Sequence, residues 1–218
     1  MRASAIFLAA IGVLTSTPAS AATFLFNTDP FAGSTALSTP GRQVVGGEPF
    51  IIFDPAVDQF AFDPAFFAVG NSVSFANDVV GNLATSGLNV IVLRTLDDDA
   101  NAATAFGAGS AATLLANRIT GDGAGFFIYF NSGLDLPRLV YSTNLSDPTA
   151  DLKIVARMTN FAGNPSGLSG FSSRNFVFAA IPEPSSWAMM LVGFGIVGAS
   201  IRRAREKAGR PALEPRFS

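Results

Sequence analysis

The chain has no cysteine and no histidine. Without cysteine there can be no disulfide, zinc thiolate, thioether-bound haem or thiol nucleophile. Without histidine, the usual general base near neutral pH and the commonest metal ligand are both missing. A Ser-His-Asp triad and a histidine-bound zinc site are therefore excluded. Charge is scarce as well: 14% of the 218 residues are Asp, Glu, Lys or Arg, against about a quarter in ordinary domains. There is one tryptophan and there are two tyrosines, few for a sugar platform built on flat rings with a polar handle. Carboxylate chemistry, Ser-Lys chemistry and oxygen-ligated metals stay open.

What the chain does have is apolar. Hydrophobic residues make up 49%, phenylalanine alone accounts for 21 positions, and the mean hydropathy is +0.38. This length holds one domain with a proper core. Such apolar content argues against disorder in the middle of the chain, and the phenylalanines read as core. Between Ala22 and Ile181, seven basic and thirteen acidic side chains leave a net charge of −6. From Arg202 to Ser218 the balance reverses, with six basic residues against two glutamates. An acidic domain with a basic tail predicts no nucleic-acid partner.

The first residues, MRASAIFLAAIGVLTSTPASAATF, begin with Arg2 and run apolar from Ala5 to Leu14. Small residues follow, including Ala19-Ser20-Ala21. A charged start, a short apolar helix and an A-x-A site form a secretory signal peptide. The apolar run is too short to span a bilayer comfortably. Cleavage is expected after Ala21, making 1–21 the signal peptide and Ala22 the new N-terminus.

Residues 185–201 carry no formal charge. As a helix they rise roughly 26 Å at ~1.5 Å per residue, a short transmembrane span for a hydrocarbon core of ~30 Å. Trp187 sits at one end, where an indole favours the headgroup interface. Arg202, Arg203, Arg205 and Lys207 crowd the other end as a basic stop, which places that end in the cytoplasm. Before the helix, Pro182 and Pro184 flank Glu183. Each proline lacks an N–H and pushes its predecessor toward extended backbone, so 181–184 reads as an exposed tether that a protease can grip. Gly193, Gly195 and Gly198 spell G-x-G-x-x-G, but no strand precedes them as a dinucleotide site requires. They fit close helix packing instead.

Pro182-Glu183-Pro184, then Trp187-Ala188-Met189, a glycine-studded apolar helix and arginines, in that order, resemble the PEP-CTERM sorting signal in its PEPxxWA form. The resemblance covers Ile181 to Lys207; Ala204 and Glu206 interrupt the basic run, and a tail of 208–218 follows. A tail of this kind is also labelled an ice-binding-protein C-terminal domain, which does not imply ice binding. The resemblance implies recognition and cleavage by an exosortase, a multi-spanning membrane enzyme of Gram-negative bacteria. It also implies an exported protein, held in the inner membrane as a precursor with its domain in the periplasm and then placed at the cell surface. Carriers of the signal are often linked to biofilm, which makes exopolysaccharide an expected partner.

The middle, 22–180, holds short runs rich in Phe, Val and Ile between turn residues: PFIIFDP, DQFAFDP, NSVSFAND, LNVIVLRT, GFFIYFNSG, RLVYSTN, DLKIVARMTNF and RNFVFAA. In DLKIVARMT, alternation sends Leu152, Ile154, Ala156 and Met158 to one face of a half-buried antiparallel strand. GFFIYF is apolar on both faces and belongs in the centre of a sheet. SAATLLANRI reads as one short helix capped by Ser110 and ended by Gly121. The expected fold is mainly β: an antiparallel, jelly-roll-like β-sandwich with one short helix.

Asp97, Asp99 and Asn101 alternate like the opening of an oxygen-ligand calcium loop. Ala102 and Ala108 then stand where that loop needs Gly and Glu, so a solvated acidic turn is the reading, with these three as the only candidate metal ligands. No cofactor is expected. No catalytic constellation is visible, so the expected role is structural or adhesive. The alternatives are a carbohydrate-active enzyme using paired carboxylates and a calcium-dependent adhesion module.

Overall fold

The computed structural model describes residues 20–121, 123–179, 190–198 and 200–202. The chain divides into two compact units, Met1–Phe178 and Ala179–Ser218. The first is mainly β. Among its described residues the strands are β1 (Thr23–Phe26), β2 (Val44–Val45), β3 (Phe50–Ile51), β4 (Gln59–Phe62), β5 (Phe75–Asp78), β6 (Val90–Leu93), β7 (Gly125–Asn131), β8 (Leu136–Ser142), β9 (Leu152–Met158) and β10 (Phe176–Phe178), with one α-helix, α1 (Ala108–Ala116). Every strand run read from the sequence contains a strand. Two were not read there: β1, against the leader, and β2, only two residues long.

The strands form a three-stranded sheet, β1-β4-β10, and a seven-stranded sheet, β2-β9-β8-β7-β6-β5, with β3 also paired to β9. The expected antiparallel, jelly-roll-like pairing is corrected. Only β7–β8 and β8–β9 run antiparallel; every other pairing is parallel. The cause lies in the connections. A short turn reverses direction, whereas a long crossover returns the next strand in the same direction. The alanine-rich stretch folds into α1 within the β6–β7 crossover, a βαβ arrangement.

Both sheets share one core. Phe24, Phe26, Phe60, Phe62, Phe176 and Phe178 alternate along β1, β4 and β10 onto a face packed against Phe126, Ile128, Val90 and Tyr141. Phe62 stacks on Phe126 with ring centroids 3.9 Å apart, and Phe53 stacks on Phe60 at 4.2 Å. Phe62 also touches Phe26, Phe67 and Phe178. Phe62→Ala is therefore expected to cost about 3–5 kcal/mol, read from the urea midpoint. The other face of the large sheet carries Ile91, Leu93, Phe127 and Tyr129, packed with Ala111 and Leu115 of α1. β7 thus contributes to both cores and is buried along its length, as its two-faced apolar run predicts.

Two local expectations are corrected. In β9, Leu139 of β8 opposes Ala156 while the next residue, Val140, opposes Ile154, so Val155 is an inserted residue. The bulge breaks the alternation. Leu152 and Ile154 join the α1 core, whereas Ala156 and Met158 join the phenylalanine core. The helix starts at Ala108, with Gly107 in extended backbone at its N-cap and no side-chain cap. Ser110 lies inside it, because the buried stripe of Ala108, Ala111, Ala112 and Leu115 begins earlier than Ser110. It ends at Ala116, ahead of Gly121, where Asn117 caps it with its N–H on the Thr113 carbonyl.

Candidate functional site

Of the sequence-predicted sorting and processing residues, Ala19, Pro182, Glu183, Pro184, Trp187, Arg203, Arg205 and Lys207 lie outside the described residues. β10 ends at Phe178, paired to Phe62 of β4. It is held from behind by Asn175, whose side-chain Nδ2 donates to the carbonyls of Pro55 and Asp58 at 2.9 Å each. In the second unit, 190–198 and 200–202 are helical. Leu191, Phe194 and Ile196 are among its exposed apolar side chains. Among the described residues no helix is long and apolar enough to cross a membrane. The first five residues of the expected span 185–201, and Ala199, lie outside them.

At the front, Ser20 and Ala21 are exposed and Ala22 is half-buried. The Ala22 N–H donates to Asp58 Oδ1 at 2.7 Å, and its carbonyl accepts the Gln59 N–H at 2.9 Å. The predicted cleavage position therefore abuts a residue that the fold holds through both its backbone N–H and its carbonyl.

A cleft of about 230 Å³ is lined by Phe26, Asp29, Glu48, Phe67, Lys153 and Val155, among others. Three of its polar side chains are already engaged. Lys153 Nζ donates to the Gly46 carbonyl at 2.6 Å, and Asp29 Oδ1 accepts the Phe31 N–H at 2.9 Å. The Glu48 side chain, 2% exposed, accepts from Arg157 Nε and lies 3.6 Å from Arg138 Nη2. Arg157 in turn lies 5.1 Å over the Phe50 ring, a cation–π contact. The sequence reading did not single out Glu48. Its one signal is rarity: it is the only glutamate between residues 22 and 180.

Tyr129 lies beside Arg138 in the ladder, and its hydroxyl accepts from Asn131 Nδ2 at 2.9 Å. Burial pushes the phenols of Tyr129 and Tyr141 above their ordinary value. These are the only tyrosines, so an absorbance titration reads them cleanly. Little phenolate is expected until pH exceeds ~10. Because the folded-state values are raised, stability falls as pH climbs past the unfolded value of ~10. The phenolate signal is then expected to rise together with unfolding.

The acidic turn is local. Carboxylate oxygens of Asp97, Asp98 and Asp99 lie within 4.8 Å of one another. The Asp99 N–H donates to Asp97 Oδ1 at 3.2 Å, the Asn101 N–H to Asp99 Oδ1 at 2.9 Å, and the Ala103 N–H to Asn101 Oδ1 at 3.1 Å. These are successive Asx turns. The Asn101 N–H is the first cause holding the Asp99 carboxyl below its ordinary value. The structure thus brings Asp97, Asp99 and Asn101 together as a turn whose oxygens already cap backbone.

Every basic side chain of the domain has an internal partner. Arg42 bonds the Gly109 and Ala150 carbonyls, Arg94 pairs with Asp78, Arg118 bonds the Leu83 carbonyl and Arg174 bonds the Pro55 carbonyl. Arg138, Arg157 and Lys153 are held as described above.

No curated protein and no solved structure matches the chain. One short region does match a known family: residues 180–205 fit the PEP-CTERM protein-sorting motif. That interval opens two residues after β10 and includes Pro182, Glu183, Pro184, Trp187 and the first arginines of the basic run, so the chain carries the sorting signal of an exported, exosortase-sorted protein.

Proposed function

We propose that this is a precursor whose β domain works outside the inner membrane as a structural or adhesive, non-catalytic component of the extracellular matrix. The observation that carries the reading is the position of the motif. It begins at residue 180, just after β10 closes the small sheet at Phe178. Among the described residues, every buried core residue lies at or before Phe178. A cut between 181 and 187 therefore releases the domain with its core whole. In this reading the apolar 185–201 helix anchors the precursor, Arg202 to Lys207 stop its transfer, and an exosortase grips the proline-flanked tether. The domain's net charge of −6, with each of its cations already bonded, favours an uncharged polysaccharide over an acidic one.

Intact-mass spectrometry of the protein from the host surface and medium tests this. Wild type is expected to be cut within 181–187, and Pro182→Ala/Pro184→Ala to accumulate uncut. A wild-type chain retaining 202–218 in both fractions would leave a plain membrane anchor and remove the matrix reading.

The gathered carboxylates of Asp97, Asp98 and Asp99 favour one second reading, a calcium-dependent adhesion module. That reading expects EDTA to lower the Tm of the domain. An unchanged Tm removes it.

A further inference from the structure

Asp58 is a buried carboxylate, 6% exposed, that faces the point where the leader ends. Its Oδ1 accepts the Ala22 N–H at 2.7 Å and its Oδ2 accepts the Asp54 N–H at 2.8 Å. Among the described residues no lysine or arginine forms an ion pair with it. Two other charged groups stand close by. Asp54 directs its Oδ1 to the Ala56 N–H, and Arg174 directs its guanidinium to the Pro55 carbonyl. Asn175, neutral, donates to the Asp58 carbonyl. A buried carboxylate without a cation is costly, and this one already holds the nitrogen of the residue expected to become the N-terminus.

We propose that leader removal creates the missing counter-ion: the new α-ammonium of Ala22 pairs with Asp58 and locks the mature domain. Hydrolysis breaks the Ala21–Ala22 C–N bond. Water supplies OH to the Ala21 carbonyl carbon and H to the Ala22 nitrogen. At neutral pH the carboxyl proton ends on that nitrogen, leaving a carboxylate and an ammonium. A neutral N–H donor becomes a charged one, and such bonds are roughly twice as strong. Ala22 does not need to move, because the Gln59 N–H already fixes its carbonyl at the start of the β1–β4 pairing. The precursor is consequently the less stable form, and the lock closes only once the leader has gone. The inference rests on cleavage after Ala21, and its tests separate the two.

Full-length chains starting at Ala22 and at Ser20 are compared in one detergent. The Ser20 chain carries its ammonium two residues out, on exposed backbone. At pH 6.5 the Ala22 chain is expected to melt about 4 °C higher. Asp58 raises the folded-state value of the α-amino group above its unfolded ~7.7–8.0. The gain is therefore complete below ~7.5 and disappears as pH rises through the raised value. Asp58→Asn is expected to erase the difference between the chains. Acetylating the Ala22 amine is expected to do the same with Asp58 intact, which covers a variant that fails to fold. Equal Tm for the two chains from pH 6 to 10 would overturn the ion pair. N-terminal sequencing of the exported protein tests the cleavage itself. A start at Ala22 supports the lock in the cell, and any other start overturns it there, even if the engineered Ala22 chain shows the pair.

Discussion

Gly125→Ala is expected to destabilise the domain by about 3 kcal/mol or more, or to stop it folding. A Cβ at this position would sit 2.4 Å from Leu145 Cδ1 and 2.8 Å from the Asn89 carbonyl oxygen. The side chain of Leu145 can swing, but the Asn89 backbone cannot. Its carbonyl accepts the Phe126 N–H at 2.8 Å, its Oδ1 accepts the Ser74 N–H at 2.8 Å, and its Nδ2 donates to the Val69 and Ser72 carbonyls. Relief requires the start of β7 to leave β6, and β7 contributes to both cores. Urea unfolding of the mature-length chain in detergent measures the cost. Gly81→Ala is the control, since nothing lies within 4 Å of its added carbon. Leu145→Ala should not rescue Gly125→Ala, because the carbonyl contact remains. A loss below ~0.5 kcal/mol would mean that β7 slides freely at this end.

The strands were legible where their chemistry is local. GFFIYF is apolar at every position because β7 is buried on both faces. Direction was not legible. Alternation reports which face a residue takes and says nothing of which way its neighbour runs. The parallel pairings follow from long connections, some within the large sheet, as at β5–β6 and β6–β7, and some by way of the other sheet, which no window of a few residues records. The two-residue β2 is too short to show a period, and β1, as long as β4, starts two residues after the A-x-A site and merges with it in the sequence. In β9 the alternation itself misled. The bulge at Val155 turns Ala156 and Met158 to the opposite face from Leu152 and Ile154, and nothing in DLKIVARMT marks an inserted residue.

The same division holds for the sites. The sorting motif was legible because its parts lie close together in the chain and in order. The aspartate turn was legible as a turn because each Asx bond spans two residues. Asp58 meets Ala22 across 36 positions, and Glu48 meets Arg157 across 109. Contacts of that range come from topology, and a topology read as antiparallel does not bring them together.

Glu48→Ala is expected to cost about 3–5 kcal/mol. Arg138 and Arg157 stand directly opposite each other on β8 and β9, where like charges repel. Their side chains are only 15% and 25% exposed, so water screens them partially. Glu48 is the carboxylate that neutralises both, and it sits in the segment joining β2 to β3 at the sheet edge. Arg138 Nε is already buried without a partner, so removing the carboxylate leaves this guanidinium with still less compensation. Glu48→Gln keeps an acceptor but not the charge, and should lose a smaller amount. Arg138→Leu in the Glu48→Ala background should recover part of the loss, since one of the two orphaned charges goes with it. Urea midpoints of wild type, Glu48→Ala, Arg138→Leu alone and the double variant complete the cycle. A loss under ~1 kcal/mol for Glu48→Ala would place the trio with exposed pairs of small worth. A large loss would make Glu48 the residue that fixes the edge strands β2 and β3 against β9, and with them the wall of the cleft formed by Gly47, Glu48 and Pro49.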